Sequence, residues 1–173
     1  MWAQRRQSGF TIVELLIVIV VIAILAAITI VAYNGIQSRA NDTAVKNDLQ
    51  ALAKKFELYR VDNGVYPVGD VQLGTLDIKL SKSVYGNGFS SNTHNVLYCR
   101  IAGDGPDKFA LVASSKSGNI FTYQSTTRAF TVTTTWAGTG SNIICQAAGI
   151  NQVIGTDRDI LYYSNGWMPY VGG

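Results

Sequence analysis

Apolar side chains fill nearly every position from Phe10 to Tyr33, a 24-residue run in which Glu14 is the only charge. As a helix this run extends about 36 Å, enough to cross a hydrocarbon core of roughly 30 Å with some tilt. From Ile36 the pattern changes. Ala40, Ala44, Val45, Leu49, Leu52, Phe56 and Tyr59 recur mostly three or four residues apart, with Lys46, Asp48, Lys54, Lys55 and Glu57 between them. That spacing predicts an amphipathic helix with one buried stripe. Asn34-Gly35 is a turn-type pair, the one place where a continuous helix from Phe10 to Arg60 is open to interruption. Asp62-Asn63-Gly64 supplies the stop, since Asn or Gly accepts the left-handed conformation, and Pro67 prevents resumption.

Downstream the period shortens to two. Val96 to Ile101, Phe109 to Ser114, Asn119 to Gln124 and Phe130 to Trp136 are short β-branched and aromatic runs separated by turn residues such as Gly103-Asp104-Gly105-Pro106-Asp107 and Ser117-Gly118. Val68 to Asn95, rich in Gly, Ser and Asn, reads as loops between helix and sheet. Ile160 to Tyr163 adds a late strand, with Trp167, Pro169 and Tyr170 in a closing segment. The expected fold class is α+β: a long N-terminal helix packed on a C-terminal antiparallel β-sheet.

Glu14 is the most informative residue. A carboxylate in a membrane helix costs about 2.5 to 3.5 kcal/mol at the bilayer centre and less near the edge, so it either snorkels to the interface or meets a partner. Gly9 directly precedes the apolar run, and Arg5 and Arg6 lie just before it. The run is too long for the apolar core of a secretory signal peptide, which spans roughly 7 to 15 residues. Under the positive-inside rule Arg5 and Arg6 hold the amino terminus in the cytoplasm, and everything after Tyr33 is exported.

The string Gly9-Phe10-Thr11-Ile12-Val13-Glu14-Leu15-Leu16, followed by an unbroken apolar helix ending in Ala32-Tyr33, resembles the processing and assembly segment of type IV pilins and the related type II secretion pseudopilins. Tyr59 to Pro67 is similar to the helix exit of many pilins and especially of the pseudopilins. The resemblance implies a pilin-like fold and cleavage by a prepilin peptidase between Gly9 and Phe10. It also implies N-methylation of Phe10 and a charge pair between the new Phe10 amine of one subunit and Glu14 of the next. Two such charges are costly apart and attract strongly at low dielectric. The implied organisation is a cleaved leader at 1–9, a transmembrane and assembly helix at 10–33, an amphipathic half at 34–62, and a loop-and-sheet part at 63–173. The implied partners are membrane lipid before assembly, an inner-membrane assembly platform, and other copies or related pilins in a helical filament. Two departures stand out: Val31 occupies the place of a common proline, and Ala23 that of a frequent glycine, so a local break of this helix loses its usual causes.

The resemblance leaves three roles open: a pilus subunit, a pseudopilin of a secretion or DNA-uptake machine, or a minor tip pilin that contacts DNA or a surface. Charge does not favour nucleic acid. The formal net charge of +3 comes largely from Arg5 and Arg6 in the leader.

Cys99 and Cys145 both fall in the exported part, where an oxidising exterior suits a bridge; two buried thiols are the other reading. Bridging them closes a loop of about 46 residues, worth about 4 kcal/mol in the loop-entropy model. His94 is the only histidine, which excludes a multi-histidine metal site, and no enzyme or cofactor is indicated. Asp104 and Asp107 have the hard oxygen donors of a calcium site, although glycine-turn chemistry explains them better. Asn41-Asp42-Thr43 matches a glycosylation sequon by chance composition on a helix.

Overall fold

A computed structural model describes residues 9–88, 96–100, 108–150, 158–160, 162–163, 166–167 and 171–172. The expectations for Arg5, Arg6, His94, Ile101, Asp104, Asp107, Pro169 and Tyr170 lie outside the described residues, as does the side chain of Trp167. By its contacts the chain divides into two units, Met1–Gln37 and Ser38–Gly173.

The first unit carries the start of helix α1 (Ile12–Asn63), and the helix runs through Asn34 and Gly35 without a break. From Ile12 to Ile36 its apolar side chains are exposed on every side, with Ile12 at 84% and Val31 at 75%. A helix apolar all round requires lipid or other apolar helices about it. By length and composition α1 is long and apolar enough to cross a membrane.

In the second unit α1 turns one stripe inward. Val45, Leu49, Leu52, Ala53 and Phe56 are buried, and Asn41 joins them at the upper end. The stripe differs from the expected one at its ends: Ala40 is exposed and Tyr59 only half-buried. At 100° per residue Ala40 lies a full step away from the 41–45–49–52–56 row, so spacing alone misassigned it. The stop falls where expected. Gly64 takes φ +79 and its N–H reaches the Arg60 carbonyl at 2.8 Å, while the Asn63 amide donates to the Tyr59 carbonyl at 2.9 Å.

Residues 68–88 are more ordered than the predicted loops. They form a short helix α2 (Gly69–Gly74), a two-residue strand β1 (Ile78–Lys79) and a 3-10 turn at Lys82–Val84. Leu73, Ile78, Leu80 and Tyr85 from this stretch are buried in the core, which is why a Gly- and Ser-rich composition still folds here.

The sheet is a meander of β2 (Val96–Arg100), β3 (Phe109–Ser114), β4 (Ile120–Gln124) and β5 (Ala129–Thr133), close to the predicted runs. The last strand ends early, leaving Thr134 to Trp136 outside the ladder. After helix α3 (Ser141–Ala147), strand β6 (Arg158–Ile160) pairs antiparallel with β2, giving the order β5-β4-β3-β2-β6. The late strand expected at Ile160 to Tyr163 is therefore divided. Its second part, β7 (Tyr162–Tyr163), pairs instead with β8 (Gly166–Trp167), and β9 (Val171–Gly172) lies parallel to β1.

Both faces of the sheet are covered. On one, the α1 stripe meets Val96, Tyr98, Phe109, Leu111, Ala113 and Phe121. Phe56 anchors this layer, 4.5 Å from the Tyr98 ring and 5.5 Å edge-on from Phe109. Such aromatic pairs add about 0.5 to 1.5 kcal/mol beyond their buried area. On the other face Leu97, Cys99, Ala110, Val112 and Ile120 pack against Ile144, Cys145 and Ala148 of the α3 segment. This second layer explains why β2 and β3 are buried at every position rather than alternating.

Polar groups of α1 fasten the connecting segments. Asp42 accepts hydrogen bonds from the Ser117 hydroxyl and, at 2.8 Å, from the Asn119 amide in the β3–β4 turn. Asp48 accepts from the Ser81 N–H at 2.6 Å and the Tyr85 hydroxyl at 3.0 Å. Lys55 donates to the carbonyls of Leu76 and Asp77 at 2.8 and 2.7 Å. Glu57 accepts from the Tyr66 hydroxyl at 2.9 Å.

Two of these clamps fix an alkaline limit. Burial, with Glu57 beside it, pushes the Tyr66 phenol up to about 12 from its ordinary 10.0; burial and Asp48 push Tyr85 up further. A phenol that resists ionisation only when folded adds stability that is fully present below pH 10 and is lost as pH rises through the folded values. An alkaline titration followed by circular dichroism should show unfolding that begins above pH 10 and tracks phenolate absorbance. Ionisation of all tyrosines well before the fold is lost would contradict it.

Candidate functional site

The start of α1 is set by two side chains. Thr11 is the N-cap residue and Glu14 occupies the third helical position, so Thr-x-x-Glu forms a capping box. The Thr11 N–H donates to Glu14 Oε2 at 2.7 Å, the Thr11 hydroxyl donates to the same oxygen at 2.7 Å, and the Glu14 N–H reaches Thr11 Oγ1 at 3.3 Å. Thr11 is a site residue beyond those expected from the sequence, and the Thr-x-x-Glu spacing before an apolar run is its recognisable signal.

Both bonds from Thr11 land on one carboxylate oxygen. Oε1 accepts no hydrogen bond from the described residues, and Glu14 is exposed. The carboxylate is thus satisfied enough to sit at the head of an apolar helix, yet has one open oxygen for a cation. Any cationic donor, an ammonium or a guanidinium, suits such an oxygen. The positive end of the helix dipole also favours a carboxylate here.

Gly9 and Phe10 precede the helix, outside any helix or strand. Phe10 is 86% exposed, and a side chain added at Gly9 meets nothing within 4 Å. Nothing in the described fold demands a glycine at that position, and the Gly9–Phe10 bond lies in open chain next to a capped helix.

The remaining candidates lie in the second unit. Cys99 on β2 and Cys145 on α3 are joined by a disulfide, with Cα atoms 5.5 Å apart and both residues fully buried. Asn41 of the sequon is buried at the inner side of α1 and is no acceptor for a glycan. Among the described residues no group of three or more His, Cys, Asp or Glu side chains could hold a metal. The structure brings Thr11 and Glu14 together at one end of α1 and the two cysteines together behind the sheet.

Comparison with known proteins adds three findings. Residues 4–30 match the model of the prokaryotic N-terminal methylation motif. The chain is 40% identical over 99 residues to the type IV wide pilus major component PilA4 of Thermus thermophilus, covering 57% of this chain and 75% of that protein. It is also 38% identical over 64 residues to the type II secretion system core protein G of Pseudomonas aeruginosa, covering 37% of this chain and 45% of the relative. The core protein G of Vibrio cholerae is 35% identical over 75 residues, covering 43% and 51%. The chain thus spans about half the length of the secretion proteins it matches. No solved structure matches it.

Proposed function

Because this chain belongs to the family that unites type IV pilins with the type II secretion pseudopilins, we propose that it is a structural filament subunit held in the membrane by residues 10–33 until it is processed and polymerised. The observation that carries this reading is the head of α1: an apolar helix exposed on every side, opened by a carboxylate with one free oxygen, and preceded by an accessible Gly9–Phe10 bond.

On this reading a prepilin peptidase cuts after Gly9 and removes the leader 1–9. The new Phe10 amine, methylated but still cationic, is the ammonium that Glu14 of a neighbouring subunit receives. Arg5 and Arg6 keep the amino terminus in the cytoplasm, so the unit from Ser38 onward is exported and the filament stands outside the membrane. An inner-membrane platform lifts the helix out of lipid. The apolar surface passes from acyl chains to the helices of other copies, so its burial is continuous through assembly.

The pilus reading rests on coverage, since the match to the Thermus pilus component takes in three quarters of that protein. A pseudopilin role has its own support in the helix exit from Asp62 to Pro67 and in the matches to secretion core proteins. Mass spectrometry of the chain recovered from cells with an active prepilin peptidase should find Phe10 at the amino terminus, carrying a methyl group. An intact Met1 or a cut within the apolar run would remove the assembly reading.

A further inference from the structure

Strand β5 stands at one end of the described sheet, and the rest of the fold leaves it uncovered. Ala129, Thr131, Val132 and Thr133 are exposed and Phe130 is only half-buried, whereas every residue of β2 and β3 is buried. The ladder to β4 is unbroken over five pairs, from Gln124 with Ala129 to Ile120 with Thr133, so no bulge turns the strand away. Natural edges are usually blunted by lysine, proline, a bulge or a covering segment, because a row of open N–H and C=O groups invites a further strand. β5 has neither lysine nor proline, and no charged residue lies between Arg128 and Gly140.

The sequence of β5 is complementary to itself. Phe130 and Val132 lie opposite Tyr123 and Phe121, on the face that α1 covers, and Ala129, Thr131 and Thr133 alternate to the other face. Antiparallel pairing with a second copy, centred on Thr131, sets Thr131 against itself, Phe130 against Val132 of the second copy, and Ala129 against its Thr133. Aromatic against β-branched and threonine against threonine are cross-strand pairs that stabilise sheets. The Phe130 ring, 5.4 Å from Tyr123, then carries its layer on into the second copy. Registers centred on Phe130 or on Val132 lose this match, since they set Arg128 against Val132 or Phe130 against Thr134.

Charge selects the same arrangement. With Thr131 at the centre, Arg128 meets Thr134 of the second copy, and the two arginines stand six residues apart, roughly 20 Å and beyond the screening length of about 8 to 10 Å. A parallel copy in register would bring Arg128 beside Arg128, a like-charge pair that destabilises. The other end strand, β6, would set Arg158 and Asp159 against uncharged residues of β5. Two five-residue strands make a contact smaller than the roughly 1,200 Å² of a standard interface, so the pair is weak unless other contacts hold the copies close.

We propose that β5 is a pairing edge for a second copy of this chain, joined antiparallel and two-fold about Thr131. Such a contact closes on itself, so it is separate from the repeating step by which the proposed filament grows. It needs neither cleavage after Gly9 nor any residue of the apolar helix, so it stands or falls apart from the subunit reading.

Single cysteines trap a weak pair, and Cys99 and Cys145 are bonded to each other, so no native thiol competes. In the full chain in detergent micelles under mild oxidation, Thr131→Cys should give a disulfide-linked dimer, because a residue opposite itself brings two Cα atoms within the separation of about 4.4 to 6.8 Å that a bridge needs. Ala129→Cys and Thr133→Cys should each stay monomeric alone and link to one another when mixed, since equal positions then lie roughly 14 Å apart. All three positions are exposed, so the substitutions leave the core intact. Val132→Lys added to Thr131→Cys should lower the dimer yield at least about ten-fold with the thermal midpoint unchanged. Thr131→Cys that stays monomeric, Ala129→Cys that links to itself as readily as Thr131→Cys, or a yield indifferent to Val132→Lys would overturn the proposal.

Discussion

Glu14→Ala is expected to leave the chain in the membrane and to keep it out of filaments. Insertion depends on the apolar run, and removing a carboxylate from it only lowers the cost of residence in lipid, by up to about 2.5 to 3.5 kcal/mol. On the proposed reading, assembly depends on what meets the amine of Phe10 once the helices close around it. Without a carboxylate the ammonium is buried unpaired, at a cost of about 3 to 5 kcal/mol, so incorporation should fall by at least about 100-fold. Thr11→Val separates this effect from helix capping. That variant loses the hydroxyl's bond to Oε2 at 2.7 Å and the cap acceptor that the Glu14 N–H reaches at 3.3 Å, together worth about 1 kcal/mol, but keeps the backbone N–H bond to Oε2 and leaves the charge in place. Quantifying subunits in sheared filaments and in membranes gives both numbers. Filaments of normal yield from Glu14→Ala, with the chain cleaved after Gly9, would dispose of the charge pair.

The second large effect is on stability. Replacing Cys99 and Cys145 together by Ala should destabilise the second unit by about 4 kcal/mol, from the freed loop of 46 residues. The bridge also holds α3 on the outer layer, where Ile144, Cys145 and Ala148 cover Leu97 and Val112. Thermal unfolding in detergent should drop by about 10 °C or more, and reductant should lower the parent protein to the same midpoint while leaving the double variant unchanged. Equal midpoints for parent and variant under oxidising conditions would show that packing alone holds α3.

Those two sites were legible in the sequence to different degrees, for physical reasons. Glu14 stands out because a lone charge in an apolar run must either snorkel to the interface or meet a partner, and Cys99 and Cys145 because only one intrachain pairing exists. The strands at Phe109–Ser114 and Ile120–Gln124 showed themselves through β-branched runs between turn residues. What escaped was whatever depends on distant chain. Helix α3 spans seven residues, too few for a periodic signal, and becomes amphipathic only against the sheet it covers. Ile78 and Leu80 lie in a stretch of loop-like composition, yet they are buried because β9 returns from the far end of the chain to pair with β1. The cap at Thr11 has a local signal, Thr-x-x-Glu before an apolar run, but the same glutamate reads first as a lone charge.

The clamps along α1 have a mechanical consequence. Asp42, Asp48, Lys55 and Glu57 each grip a different stretch: the β3–β4 turn, the segment at Ser81 and Tyr85, the carbonyls of Leu76 and Asp77, and Tyr66. A pull along the helix axis therefore enters the domain at four points and at the Phe56 layer together, as load shared in parallel. Bonds loaded in parallel must fail together rather than one after another, which raises the force a subunit bears before any single segment peels away.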